Sequence, residues 1–390
     1  MKPSPPQQHI FRCIAAVALL VVVVLRQGGA TVRFAPDPGI QFLDEALTRP
    51  LWNVFNGNDG YIQFFPRVIA YPIALLPFEN LAIVCGVICA VLWGIGCLGV
   101  GVSVSDVTKS RGLGYLSAGW LAANPGASES MLANLFSIRW FGLTVLAVLL
   151  LSPSLIERHG AAVAMLVVVV GLSHAYIGVL AVMVGYWNRK QLSQHSQMRL
   201  VVGAASVVTI TQFWTFLAGS SGLQKYGSDT VYAPWQGMGV FWLSVVVGPP
   251  LIGGLALAVA WPNRSTARST FAIRLATTGL VIWCVAYAQL GIKDSPSVFT
   301  LGVTPIALAV ALADREGWTT RQRSMVGAVL AVPLLVLAVK YFPASWFITS
   351  GDPWESEVAR VQPTCQRSPE SVVTIRQFTA KFDVPCRWIR

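Results

Sequence analysis

The chain has 390 residues, 54% apolar and only 12% charged, against roughly 25% charged in a soluble domain, which excludes a water-soluble globule and points to a bilayer. The apolar residues fall in separated blocks of about 20 rather than in the short alternating runs of an outer-membrane barrel, so helices are the expected spanning elements. The net charge is +11, but Lys and Arg are dispersed with no stripe or tail, which argues against nucleic acid as a partner and leaves them to report orientation.

The first apolar block, Ile10 to Leu25, has no small-x-small cleavage site before Arg26 and reads as a retained helix over 1–26, with a signal peptide as the alternative. A long loop, 27–79, comes next. It holds the adjacent acids Asp44 and Glu45, then GNDGYIQFFPRVI at 57–69, where glycines flank the Asn58-Asp59 pair and permit a tight turn close to a ligand. Pro66, Pro72 and Pro77 cut the end of this loop into short pieces suited to interfacial helices, with Tyr61, Phe64 and Phe65 as headgroup anchors. A carboxylate here can serve as general base on an acceptor hydroxyl, or hold a divalent metal with phosphate oxygens. Asp59, Asp44 and Glu45 are the candidates, an ordinary wet loop being the plainer reading. Arg67 offers paired hydrogen bonds to phosphate, or snorkels at the interface.

Spans are expected over 80–342, at about 80–104, 113–123, 139–154, 200–219, 237–260, 275–290, 299–313 and 324–342. Before the third of these, NPGASESMLANLFSIRW at 124–140 brings Glu129, Asn134, Arg139 and Trp140 to one membrane edge, able to hold an anionic headgroup and a sugar or simply to anchor the helix. The segment 160–187 contains GLSHAYIG at 171–178. Gly, Ser and Gly there can break the helix into two half-spans, with His174 near the apex, bonding a ligand or the broken backbone. In the next outer loop, Lys225 can contact phosphate and Tyr232 can stack on a sugar or headgroup.

Five polar segments carry most internal basic residues: Lys109 and Arg111; Arg158; Arg189, Lys190 and Arg199; Arg264, Arg268 and Arg274; Arg315, Arg321 and Arg323. The positive-inside rule puts all five in the cytoplasm. With the break, the expectation is an all-α polytopic membrane protein of about eleven spanning or half-spanning helices, its N-terminus inside and its tail outside. That tail, 343–390, holds Cys365 and Cys386, which an external disulfide can join into a small cap.

No GxxxxGK[ST] loop, dinucleotide fingerprint, HExxH helix or GxSxG elbow is present. The Asn58-Asp59-Gly60-Tyr61 stretch with Pro66-Arg67, the run from Glu129 and Asn134 into Arg139-Trp140, and the break at 171–178 together resemble the multispanning GT-C class of glycosyltransferases, and more narrowly its uncharacterised actinobacterial members. The resemblance extends over 10–342 in architecture and over the first 190 residues in local motifs. It implies inverting transfer of a sugar from a polyprenyl-phosphate donor, at the outer face, to a cell-envelope glycan or lipid acceptor. In that scheme Asp59 or Asp44 is the base, and Arg67, Arg139 and Lys225 contact the phosphate. Asp44-Glu45 stands where some branches carry Asp-Asp, and no large soluble carbohydrate-binding domain is present. A transporter or lipid flippase, or a noncatalytic assembly subunit, would share this architecture.

Overall fold

The computed structural model describes residues 5–27, 39–58, 61–124, 127, 132–135, 137–218, 240–290, 295–314, 353–377 and 380–389. Helices dominate them: α1 Pro5–Gln27, α2 Gly39–Thr48, α3 Phe64–Ala74, α4 Leu81–Thr108, α5 Arg111–Ala122, α6 Ile138–Leu150, α7 Pro153–Gly171, α8 Ile177–Trp187, α9 Arg189–Leu192, α10 Ser196–Ala218, α11 Val240–Ala260, α12 Ala267–Leu290, α13 Ser295–Ala313 and α14 Trp354–Arg367. The all-α expectation needs one amendment, because two small antiparallel hairpins join them. β1 Gly57–Asn58 pairs with β2 Tyr61–Ile62, and β3 Val372–Gln377 pairs with β4 Ala380–Pro385, with Val372 opposite Pro385 and Gln377 opposite Ala380.

Three helical stretches among the described residues are long and apolar enough to cross a membrane: Phe78–Thr108, Pro153–Gly171 and Ala267–Ala286. Shorter apolar helices accompany them, including Ile138–Leu150 and Ile177–Trp187. The expected span at 324–342 lies outside the described residues. α6 is buried on nearly every face, which makes it the central post of the bundle, packed on α4, α7 and α13. At about 20 Å it is shorter than a hydrocarbon core.

The expected break in 160–187 is present between two short limbs. Pro153 occupies the first turn of α7, where its missing N–H costs nothing, and His159, at φ −134° and ψ 30°, kinks the helix, so the limb before the break runs over 160–171. Residues 172–176 then turn the chain back into the short α8. Close packing favours glycine at the start of the turn: a Cβ on Gly171 would lie 2.7 Å from Val208 Cγ1 and 2.9 Å from Ile177 Cγ1.

The two ends of the bundle differ in chemistry. At one end the α4–α5, α6–α7, α8–α10 and α11–α12 connections are tied together. Arg158 Nη2 donates to Asp106 Oδ1 at 2.7 Å, and Arg268 Nε to the Thr108 carbonyl at 2.8 Å. His195 lies 3.3 Å from Glu157, and Asp314, just beyond α13, accepts from Ser269 Oγ at 2.7 Å. Four of the five basic segments therefore share one end; the fifth, from Arg315 on, lies outside the described residues.

The opposite end carries a second hydrophobic core. Phe42 and Leu43 from α2, Ala70 and Ile73 from α3, and Leu81, Cys85 and Cys89 from α4 pack with Trp354, Val358, Val361, Ile375 and Val384 of the C-terminal segment. Trp354 Nε1 donates to the Phe78 carbonyl at 2.8 Å, and their rings lie 5.1 Å apart. Cys365 and Cys386 are bonded, closing α14 onto the 3₁₀ turn after β4. The C-terminal segment is thus a stapled cap on the first loop.

Inside the cap, Glu357 is buried and accepts from Arg360 Nη2 at 2.7 Å, Arg360 Nε at 3.0 Å and the Arg376 amide at 2.8 Å. The Arg360 bonds, foremost, and the Arg376 contacts hold its carboxyl below the ordinary glutamate range against the opposing effect of burial. A depressed carboxylate pKa stabilises the fold above the unfolded-state value, about 4.3, and that contribution disappears as pH falls through the lowered value. Amide protection in 354–376, taken relative to the intrinsic exchange rate at each pH, should therefore fall below about pH 4, and Glu357→Gln should flatten that acid limb while leaving the cap weaker at neutral pH. An acid limb unchanged in the variant would assign it to another group.

Candidate functional site

The site is built where the first loop meets the break after α7. Pro50 ends α2, a 3₁₀ turn over Leu51–Phe55 comes next, and the chain enters the β1–β2 hairpin. In the sequence Asp59 and Gly60 stand between its strands, and Asp-Gly is a favoured hairpin dipeptide; both residues lie outside the described residues.

Two arginines clamp the arms of this hairpin. Arg67, on α3, donates from Nη1 to the Asn56 carbonyl just before β1, while Nε reaches Glu45 Oε2 at 2.7 Å and Nη2 reaches Glu45 Oε1 at 3.4 Å. Both side chains are buried, 3% and 7% exposed, and Asn53 Nδ2 donates to Glu45 at 3.1 Å. Arg139, at the start of α6, donates to the Tyr61 hydroxyl and lies 5.2 Å from the centre of that ring. Glu45 and Arg67 bind each other in the interior, and through the Asn56 carbonyl Arg67 holds the entrance to the hairpin.

Asp44 differs from its neighbour. It is exposed, and partial desolvation, reinforced by the Glu45 carboxylate and opposed by Arg49, raises its carboxyl above the ordinary aspartate value. That direction favours proton uptake, the property a general base needs.

Beyond the hairpin, the strap Tyr61–Phe65 lies along the break. Ile62 exchanges hydrogen bonds with the Gln212 side chain of α10, at 2.9 and 3.2 Å, and Gln212 Nε2 also reaches the Gly171 carbonyl at 2.9 Å. The Phe64 amide donates to the Leu172 carbonyl at 3.2 Å and the Phe65 amide to Ser173 Oγ at 2.8 Å. His174, in the break, packs edge-on against Trp140 with centroids 4.2 Å apart, and Tyr176 lies 5.4 Å from Trp140. The structure thus brings Glu45, Arg67, Arg139 and His174 together around one hairpin and strap. Asn134 is buried just before α6, its carbonyl accepting from the Ser137 and Ile138 amides. Glu129, Lys225 and Tyr232 lie outside the described residues.

Four atoms at this junction break the rule that buried polar groups are paired: Gln63 Oε1 and Nε2, Trp140 Nε1 and His174 Nε2 have no hydrogen-bond partner among the described residues. Each such orphan costs about 1–3 kcal/mol. Costs of that kind gather at functional sites.

Sequence reading passes over Gln212, Gln63, Asn53 and Tyr176. Gln212 carries a usable signal, since an amide inside an apolar helix seeks a hydrogen-bond partner on a neighbouring segment. Among the described residues no three His, Cys, Asp or Glu side chains come together to hold a metal ion. Comparison with known proteins supplies no relative: no family model matches the chain, and no curated protein matches it.

Proposed function

We propose that the chain is a multi-pass membrane glycosyltransferase of GT-C type, moving a sugar from a polyprenyl-phosphate donor to a glycan or lipid acceptor of the cell envelope. The observation that carries this reading is the β1–β2 hairpin, held by Arg67 on one arm and Arg139 on the other and docked on a broken helix. So many buried polar groups fixing one short turn fit a turn that presents a reacting group. Orientation comes from charge: the tied basic connections belong in the cytoplasm, and the cap, with its disulfide, outside.

In this scheme Asp59 takes the proton of the acceptor hydroxyl as its oxygen forms the new bond to the sugar's anomeric carbon; the bond from that carbon to the phosphate oxygen breaks, and the lipid phosphate leaves. Asp44 is the alternative base. Membrane lipid gives the donor a lateral route to the site, while the acceptor arrives from the aqueous side, and holding both together removes the entropic cost of their encounter. A divalent metal, if held by Asp59 or Asp44, would supply additional charge neutralisation.

The test is sugar transfer by the purified full chain in lipid, offered radiolabelled polyprenyl-phosphate sugars and envelope acceptors. Labelled acceptor that requires both chain and lipid-linked donor supports the proposal. Net movement of lipid or solute across the bilayer with no covalent product would favour a transporter or flippase, and dependence on a co-purified partner without turnover would favour an assembly subunit.

A further inference from the structure

The four unpartnered atoms at the strap form a pattern. Tyr176 N–H donates to His174 Nδ1 at 3.3 Å, which makes Nδ1 an acceptor and places the imidazole proton on Nε2. The unsatisfied set is therefore three donor groups, the His174 and Trp140 ring N–H and the Gln63 amide NH₂, with a single acceptor, Gln63 Oε1. Gln63, Trp140 and His174 are 0%, 2% and 4% exposed. Gln63 is flanked by Ile62 and Phe64, which are pinned through Gln212 and Leu172 to the break that carries His174. Neutral donors beside aromatic rings match a hydroxylated ring, whose oxygens accept hydrogen bonds and whose C–H faces pack on Trp and Tyr.

We infer that this junction binds the sugar ring of the donor and that the Tyr61–Phe65 strap closes it in the resting molecule. The inference rests on the glycosyltransferase reading. The unpaired atoms have no access to solvent, so a ligand reaches them only when the strap lifts, which requires release of the Ile62, Phe64 and Phe65 contacts and of the Arg139 bond to Tyr61.

The test compares farnesyl phosphate with farnesyl-phosphoryl hexoses and pentoses, binding to the full chain in lipid nanodiscs. Wild type should prefer one sugar-bearing probe over bare farnesyl phosphate by about tenfold for each hydrogen bond supplied. Gln63→Leu should abolish most of that preference and raise the apo unfolding temperature, because it removes two unsatisfied buried atoms. Trp140→Phe should weaken the preference by loss of one N–H, and it carries the test if Gln63→Leu fails to fold. Equal binding of the probes by wild type, no binding at all, or a preference retained in the variants overturns the inference. Sugar-specific binding without turnover would end the enzyme reading and leave this site standing; turnover with an unchanged preference in both variants would do the reverse.

Discussion

Sugar transfer by Asp59→Asn protein is expected to fall about 10²–10⁴-fold, the usual contribution of a general base. The loss should appear in kcat with the donor KM nearly unchanged, because the amide keeps the shape of the side chain and removes only its ability to take a proton. The loss should also shrink with an acceptor whose hydroxyl is more acidic, which needs less help. Asp44→Asn in parallel should cost only a few-fold. A reversal of the two results would move the base to α2, where Asp44 is exposed and its carboxyl already held above the ordinary range. Full activity in both would remove the first loop from the chemistry.

The second large effect concerns stability. Glu45→Ala leaves the Arg67 guanidinium buried without its carboxylate, and cutting one partner from a buried ion pair costs about 3–5 kcal/mol. Arg67 also holds the Asn56 carbonyl, so the β1–β2 hairpin should loosen first. Faster amide exchange at Tyr61 and Ile62 would show it before global unfolding. Replacing both residues by Met should recover most of the stability, since a packed apolar pair of similar volume replaces two desolvated charges. If Glu45→Ala unfolds no more readily than wild type, the pair is open to water and Arg67 returns as a phosphate ligand.

Much of the frame is legible in the sequence because it rests on local chemistry. Gly171, Ser173 and Gly178 mark the break; clustered Arg and Lys mark connections that do share one end; two lone cysteines in a polar tail mark the cap. Arg158 marks the connection before 160: Pro153 opens a short helical stretch, His159 departs from helical geometry directly after Arg158, and Arg158 reaches across to Asp106. Residue type alone does not disclose that Glu45 and Arg67 neutralise each other. Both lie in a loop where a wet surface and a buried pair use the same residues, and only the packing of α2 on α3, with Phe42 beneath the guanidinium, distinguishes them. Gln63 is invisible for a related reason: a polar residue beside aromatics looks like loop until its neighbours on both sides are seen bonded to the break.

The hydrogen bond from Trp354 to the Phe78 carbonyl spans 276 residues of sequence. At about 5–20 residues per second of synthesis, the first loop waits on the order of tens of seconds for the aromatic that completes its core. Until the final segment is made, Phe42, Ile73 and Phe78 lack the Trp354 and Val358 side of their core, so the proposed active end is assembled last. Premature termination anywhere before the cap should yield an inserted but unfinished protein with exposed aromatic surface, of the kind that chaperones and membrane proteases recognise.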